Sequence, residues 1–214
     1  MGLEDYKNIV GAAAGIATIA QFFSPLIICR NIIQQKDTRN VDPTPFIGGI
    51  GISLLMLQHG LILNDPAMIP VNIVGLILNI VYLSVFYTYT KDKFDVFRSL
   101  GKVIAGVAVL ITYAQLESEE RIEFNFGVIV TILLLTLIGA PLFNLKEILR
   151  SQDTSSLPFP MISCGTVVTF LWLLYGIIIK NIFIQIQNVV GCTLCSVQLA
   201  LCLMYPGKPR RKVE

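Results

Sequence analysis

The sequence predicts an all-α membrane protein whose seven transmembrane helices form two parallel three-helix repeats joined by an inversion helix (3+1+3). Three observations support this fold class: composition, length and an internal repeat. Of the 214 residues, 54% are hydrophobic and only 14% are charged, and the mean hydropathy is +0.72. An ordinary soluble domain carries about 25% charged residues. At roughly 20 apolar residues per crossing, the chain has room for about seven spans.

The internal repeat shows in seven residues that recur 116 positions later in the chain. The pairs are Pro25 and Pro141, Leu26 and Leu142, Asp37 and Asp153, Thr38 and Thr154, Gly60 and Gly176, Asn72 and Asn188, and Gly75 and Gly191. A repeat within a strongly apolar chain is typical of transporters. We predict a first repeat over 1–95, a linker with the inversion helix over 96–120, and a second repeat with a short basic tail over 121–214.

Apolar runs between charged residues or Pro/Gly breaks give the predicted spans. They cover 9–29, 46–63, 70–89, 103–116, 124–145, 159–179 and 183–204. The fourth run is the shortest, and a buried core helix is the competing interpretation at its length. Neither helix caps nor an amphipathic stripe support that alternative. Because three spans per copy would leave the second copy inverted, we expect the fourth span to restore its orientation.

The distribution of Lys and Arg predicts the orientation of the chain. Thirteen of these residues lie around one set of alternate connections and three around the other. Since basic connections stay in the cytoplasm, we expect a cytoplasmic C-terminus and an extracellular or lumenal N-terminus. The five cysteines fall in or at the ends of apolar spans, where small packing residues are the favoured interpretation and neither disulfides nor a metal site are expected.

Several short motifs occur in both halves. They are Ser24-Pro25-Leu26 with Ala140-Pro141-Leu142, Lys36-Asp37-Thr38 with Gln152-Asp153-Thr154, Pro43-Thr44-Pro45 with Pro158-Phe159-Pro160, the paired Asn-x-x-Gly motifs, and the single run Trp172-Leu173-Leu174-Tyr175-Gly176. On these motifs the chain resembles the SWEET (MtN3/saliva) family of sugar transporters, animal type, from about Gly11 to Tyr205. The resemblance implies the 3+1+3 bundle and sugar transport.

Each repeat has one proline deep in its first span, Pro25 or Pro141. Proline removes a backbone donor and clashes with the preceding turn, so we expect a bend at each position. Membrane helices tolerate such bends, and static kinks are the alternative to moving ones. The resemblance implies that Pro25, Pro43, Pro141 and Pro158 form a tetrad on which the two halves pivot.

Asn72 and Asn188 lie in the third span of each repeat, three residues before a glycine. A carboxamide in hydrocarbon is costly unless it is hydrogen-bonded or faces water. For one Asn, a hydrogen bond between helices is the favoured interpretation, whereas a pair placed by pseudo-symmetry predicts an uncharged site for sugar hydroxyls. The resemblance implies that both contact sugar, that Trp172 and its repeat mate Met56 line the pocket, and that the bulky Trp suits a monosaccharide.

The two repeats differ at positions where the family shapes its outer gate. His59 stands where an aromatic residue commonly precedes the glycine, and its mate is Tyr175. Asp65 corresponds to Asn181 in the second repeat. We assign these four residues to the outer gate. His59 is the only histidine; a hydrogen-bonded or lumen-facing ring is favoured over a role in proton coupling.

The predicted function is bidirectional facilitated transport of a monosaccharide such as glucose, by alternating access and without ion coupling. All Asp and Glu residues fall in termini or connections of the predicted spans, so no midplane carboxylate is expected to bind a coupling ion. One histidine and no buried acid pair argue against an enzyme, and we expect no catalytic residue, cofactor or metal. A PQ-loop-type transporter of another small metabolite and a cargo receptor with the same bundle are the alternatives.

The expected partners are a small sugar and the lipid bilayer, with no nucleic acid. We expect a multi-pass membrane protein of the plasma membrane, the Golgi or both, with a monomer and a homo-oligomer as the two alternatives.

Overall fold

The computed structural model describes residues 3–139, 148–150, 152–154, 157 and 159–205. Within these residues the chain is helical and contains no strand, which confirms the predicted all-α fold class. A short 3-10 helix at Leu3–Tyr6 precedes the longer helices. These are α1 (Lys7–Phe22), α2 (Leu26–Gln35), α3 (Thr44–Ile62), α4 (Met68–Tyr89), α5 (Lys93–Leu116), α6 (Glu119–Gly139), α7 (Phe159–Ile178) and α8 (Ile182–Met204).

Five of the described segments are long and apolar enough to cross a membrane. They are Glu4–Gln35, which combines the 3-10 helix with α1 and α2, and the helices α3, α4, α7 and α8. The predicted spans 103–116 and 124–145 fall on α5 and α6, whose first turns carry charged residues. Residues 140–145 of the latter span lie outside the described residues. The count of seven spans therefore stays a prediction.

Helix α5 begins ten residues before the predicted fourth span. Asp92 precedes the helix, and its Oδ1 accepts a hydrogen bond from the backbone N–H of Asp95 at 3.0 Å. Such a cap satisfies a donor that has no partner within the helix, so the helix starts at the cap rather than at the apolar run. The predicted span 103–116 therefore forms the C-terminal part of a longer helix.

The first span is interrupted at Pro25. Helix α1 ends at Phe22 and α2 begins at Leu26, with a turn between them. The Pro25 carbonyl accepts from the backbone N–H of Cys29 at 3.0 Å, and the N–H of Leu26 donates to the Phe23 carbonyl at 3.1 Å. Because proline has no N–H to continue the α1 ladder, a new helix starts from this residue.

The chain packs into two compact units, which we call the 18–130 unit and the 131–214 unit; the latter also contains residues 1–17. In the 18–130 unit, α3 packs on α4 and α5, and α2 packs on α4. Its core includes Phe46, Ile50, Tyr82 and Phe86. In the 131–214 unit, α7 packs on α8 and on the 3-10 helix. The unit boundaries fall within α1 and α6, and the division into 1–95, 96–120 and 121–214 stays a prediction.

Candidate functional site

The turn between α3 and α4 and the turn between α7 and α8 have the same backbone hydrogen bond. The N–H of Asp65 donates to the Gly60 carbonyl at 2.9 Å, and the N–H of Asn181 donates to the Gly176 carbonyl at 3.0 Å. The residues just before these donors have left-handed backbones and are Asn64 (φ 48°) and Lys180 (φ 56°). The two turns before α4 and α8 therefore have the same backbone geometry.

Asp65 and Asn181 also cap these helices with their side chains. The Oδ1 of Asp65 accepts from the backbone N–H groups two and three residues on, both at 2.9 Å. The Oδ1 of Asn181 accepts from the equivalent groups, both at 3.1 Å. An amide oxygen caps a helix as well as a carboxylate does, so the change from Asp to Asn preserves the turn. Their predicted role in an outer gate stays a prediction.

Asn72 and Asn188 make the same hydrogen bond in the two units. The Nδ2 of Asn72 donates to the Met68 carbonyl at 2.8 Å, and the Nδ2 of Asn188 donates to the Ile184 carbonyl at 2.8 Å. Both side chains are half-buried. Each bond stays within the asparagine's own helix, so it does not join neighbouring helices. Each bond uses one of the two amide protons of the asparagine. The Oδ1 atom and the second amide proton are the groups suited to a ligand.

The glycines that follow these asparagines allow close helix packing. A Cβ at Gly75 would lie 2.8 Å from Cε2 of Phe22 and 3.2 Å from Oγ of Ser53. A Cβ at Gly191 would lie 2.9 Å from Cγ2 of Thr169. Ser53 and Thr169 are themselves 116 positions apart. Each asparagine therefore lies one turn from a point where its helix contacts the preceding helix through a small hydroxyl residue.

Trp172 and Met56 have different surroundings although they are repeat mates. The half-buried Trp172 ring contacts the buried Tyr175 ring edge-on, with centroids 5.5 Å apart and an interplanar angle of 88°. Met56 is half-buried and packs against a buried cluster that includes Phe126 and Val130. The indole is therefore oriented by an aromatic neighbour, whereas the flexible thioether lies against aliphatic and aromatic carbon.

His59 is completely buried in α3, next to the ring of Phe126 at a centroid distance of 6.3 Å. Within the described part of the chain, neither of its ring nitrogens has a hydrogen-bond partner. The hydrogen-bonded or lumen-facing histidine favoured from the sequence is therefore not what the structure shows. The reason is that an apolar ring occupies the space beside the imidazole.

Pro43 directly precedes α3 with helical dihedral angles (φ −76°, ψ −14°), and its carbonyl accepts from the N–H of Phe46 at 3.0 Å. Pro45 follows in the first turn, where the missing N–H would have no helical partner in any case. The other two residues of the predicted tetrad, Pro141 and Pro158, lie outside the described residues. The tetrad stays a prediction.

One buried polar pair close to Asn188 was not predicted from the sequence. The Nε2 of Gln187 donates to Oγ1 of Thr131 at 2.7 Å, and both residues are buried. Their repeat mates are Val71 and Gly15, so the repeat contained no signal for the pair. A glutamine next to Asn188 in an apolar span was the available clue.

A second missed contact lies on α4. The Nδ2 of Asn79 donates to the Gly75 carbonyl at 2.8 Å, and its amide lies against Gly49 of α3.

Among the residues that the structure describes, no group of three or more His, Cys, Asp or Glu side chains is placed to hold a metal ion.

A helical, strongly apolar chain with an internal repeat is typical of membrane transporters. The family model described as "Sugar efflux transporter for intercellular exchange" (MtN3_slv) matches the chain twice, over residues 8–94 and 124–210. The chain therefore belongs to the SWEET (MtN3/saliva) family of sugar transporters, as the sequence motifs predicted. This membership also confirms that it is not an enzyme.

The individual relatives agree with this assignment. The chain is 34% identical to "Sugar transporter SWEET1" of Drosophila pseudoobscura pseudoobscura, over 94% of this chain and 90% of the relative. It is 30% identical to "Sugar transporter SWEET1" of Caenorhabditis elegans, over 98% of this chain and 69% of the relative. A solved structure of a eukaryotic SWEET transporter matches the fold with a TM-score of 0.87 at 23% identity, covering 95% of this chain and 98% of that one.

Proposed function

We propose that this protein carries a monosaccharide such as glucose across a membrane in both directions, by alternating access and without ion coupling. The observation that carries the proposal is the identical arrangement of Asn72 and Asn188 within a family of sugar transporters. Relatives support bidirectional transport: the chain is 23% identical to "Bidirectional sugar transporter SWEET13" of Oryza sativa, over 91% of this chain and 68% of the relative.

The two asparagines suit the chemistry of a sugar. Each keeps an acceptor and one proton for a ligand, and a sugar hydroxyl both donates and accepts. The bond to the asparagine's own helix restricts the side chain before binding, so less rotamer freedom is lost when the sugar arrives. Neither group is charged, which disfavours an ionic substrate.

Trp172 and Met56 are proposed to line the sugar pocket as well. The face of an indole attracts the C–H groups of a pyranose ring, and the edge contact with Tyr175 holds the indole in place. Methionine is smaller and flexible, so it adapts to the other surface of the substrate. A single bulky ring leaves room for a monosaccharide.

The absence of ion coupling rests on the composition of four helices. The sequences of α3, α4, α7 and α8 contain no Asp, Glu, Lys or Arg. Coupling ions in transporters are usually held by intramembrane carboxylates or unwound backbone. We therefore assign the driving force to the sugar gradient alone. Pro25, Pro43, Pro141 and Pro158 act as hinges, and His59, Asp65, Tyr175 and Asn181 belong to the outer gate.

We place the protein in the plasma membrane or the Golgi, with its C-terminus in the cytoplasm. The positive-inside distribution of Lys and Arg supports this orientation. The functional division follows the repeat, with 1–95 and 121–214 as the two halves and 96–120 as the inversion helix between them.

Uptake and efflux of radiolabelled glucose in proteoliposomes test the pocket. Asn72→Ala and Asn188→Ala should each raise the apparent KM about tenfold, the effect of losing about 1.4 kcal/mol of hydrogen bonding. Asn79→Ala is the matched control, because this asparagine makes the same backbone bond on α4 but its amide lies against Gly49. Unchanged transport in both pocket variants contradicts the assignment. Competition by another small metabolite but not by glucose favours the alternative substrate.

Ion coupling is tested in the same vesicles with a protonophore and with sodium removed. Glucose exchange should continue at an unchanged rate, because no ion moves with the sugar. Collapse of transport under either condition contradicts the uncoupled mechanism but leaves the sugar pocket intact.

A further inference from the structure

The 131–214 unit has a polar tie between its helices at the level of Asn188. Gln187 on α8 donates from Nε2 to Oγ1 of Thr131 on α6, at 2.7 Å. The exposed fractions are 3% for Gln187 and 7% for Thr131, so water does not compete for the bond. In such surroundings a broken pair would leave a carboxamide and a hydroxyl without partners, which is costly. The bond therefore resists rotation of α8 relative to α6.

The mates of Gln187 and Thr131 in the first repeat are Val71 and Gly15, whose side chains have no polar group, so this pair has no counterpart there. In the 18–130 unit, α4 is instead tied to the end of α1, where the hydroxyl of Tyr82 donates to the Phe22 carbonyl at 2.8 Å. Tyr82 lies ten residues beyond Asn72, about 15 Å along the helix. Of these two bonds between helices, the one on α8 lies beside Asn188, and the one on α4 lies far from Asn72.

We propose that the Gln187–Thr131 pair positions Asn188 for sugar binding. Gln187 and Asn188 are consecutive on one helix, so their side chains point about 100° apart and turn together. The bond that holds Gln187 against α6 therefore also fixes the direction of the Asn188 side chain and its position along the helix axis. Gln187 itself does not contact the sugar; it is a positioning residue, and Asn188 is held more firmly than Asn72. The inference rests on the proposed function, in which Asn188 binds sugar.

Sugar affinity is measured directly through the single tryptophan. Trp172 is the only tryptophan in the chain, so its fluorescence reports a sugar titration as a Kd that is independent of the transport rate. Transport in proteoliposomes supplies the apparent KM and the maximal rate. Thermal melting in detergent gives the folded fraction by which each value is corrected.

Gln187→Val and Thr131→Val each remove one partner of the bond, and Thr131→Val also keeps the shape of the side chain. Each should raise the Kd and the apparent KM for glucose about fivefold, with the maximal rate changed less than twofold. The double variant should be no weaker than either single one, because both remove the same bond. Thr131→Ser keeps the hydroxyl and should bind within twofold of the parent protein. If Gln187→Val fails to fold, the pair Thr131→Val and Thr131→Ser still decides the outcome.

Thr136→Val is the matched control on α6, because this exposed threonine donates only to the Ile132 carbonyl of its own helix at 2.8 Å. It should leave the Kd unchanged. Unchanged sugar affinity in Thr131→Val, or additive losses in the double variant, overturn the positioning role. If Asn188→Ala also binds glucose normally, the proposed sugar site fails as well. Normal affinity in Thr131→Val with weak binding in Asn188→Ala overturns the positioning role alone.

Discussion

The two repeats share their backbone around the asparagines and differ in what surrounds them. The turns ending at Asp65 and Asn181 have equivalent hydrogen bonds, and both asparagines bond to the carbonyl four residues earlier. The neighbours differ: Gln187 replaces Val71. Backbone bonds need only a particular spacing along one chain, so two copies can keep them while neighbouring side chains diverge. The difference indicates that the two copies share their local backbone geometry but not the side-chain packing around it.

The largest effect is expected at Gly49, which lies against the amide of Asn79. The mate of Asn79 in the second repeat is Cys195, so this amide contact is specific to the first repeat. A Cβ at Gly49 would overlap the Asn79 amide, so Gly49→Ala should destabilise the protein by about 1–3 kcal/mol. Thermal melting in detergent measures the loss. Adding Asn79→Ala should restore most of it, since the obstructing amide is then gone.

Gly48→Ala is the control for this prediction, because nothing lies within 4 Å of a Cβ at the neighbouring glycine. It should be neutral or slightly stabilising, as alanine favours helix. Equal melting temperatures for the Gly48 and Gly49 variants would show that the contact does not restrict the two helices.

Exchanging Trp172 and its repeat mate Met56 tests whether the two surfaces of the proposed pocket are equivalent. Trp172→Met should raise the apparent KM for glucose about tenfold, because the indole face is worth about 1–1.5 kcal/mol. In the double variant with Met56→Trp, we expect only partial recovery, since the new indole lacks the edge contact that Tyr175 supplies to Trp172. Glucose uptake in proteoliposomes measures both. Full recovery would mean that the side on which the indole lies has no effect.

The capping residues should tolerate exchange but not removal. Asp65→Ala and Asn181→Ala should each cost about 1 kcal/mol of stability, the usual value for a lost helix cap. Asp65→Asn should cost less than about 0.5 kcal/mol, because Asn181 accepts the equivalent bonds in the other repeat. Detergent melting curves separate the three variants. A loss from Asp65→Asn as large as from Asp65→Ala would show that the charge of Asp65 has a role beyond capping.

The smallest effect is expected at Glu117, between α5 and α6, in a segment outside the matched repeats. Its carboxylate accepts from the Tyr113 hydroxyl at 2.8 Å, the Ser118 N–H at 3.0 Å and the Asn125 amide at 3.1 Å. These bonds, the Tyr113 hydroxyl first, lower the pKa of Glu117 to about 2. Because the pKa is lower in the folded state, the charged carboxylate stabilises the fold at pH values above its ordinary pKa of 4.5. This stabilisation is lost as the pH falls towards 2.

Glu117→Gln tests this with melting curves across the acidic range. The melting temperature of the parent protein should exceed that of the variant near neutral pH, and the difference should shrink as the pH falls below about 4.5. A difference that is constant with pH would assign the effect to packing rather than to charge.

Much of the fold, and the equivalence of the two asparagines, followed from residue patterns. The paired Asn72 and Asn188 were recognisable because both repeats retain them, and the structure gives them equivalent bonds. Asp65 and Asn181 differ in charge, and the structure adds that both accept equivalent capping bonds, because capping depends on an oxygen rather than on charge. Hydropathy located the apolar run 103–116, and the structure adds the ten preceding residues of α5, because the helix begins after the cap at Asp92.

The amino-acid sequence alone sets where the apolar helices lie and that they form two related halves. The physical reason is that hydrocarbon offers no hydrogen-bond partners, so an apolar run of sufficient length must satisfy its backbone as a helix. Only the tertiary structure decided which side chains meet. Gln187 finds Thr131 and Tyr82 finds the Phe22 carbonyl across separations of 56 and 60 residues. Such partners depend on the rotation and depth of packed helices, which spacing along the chain does not specify.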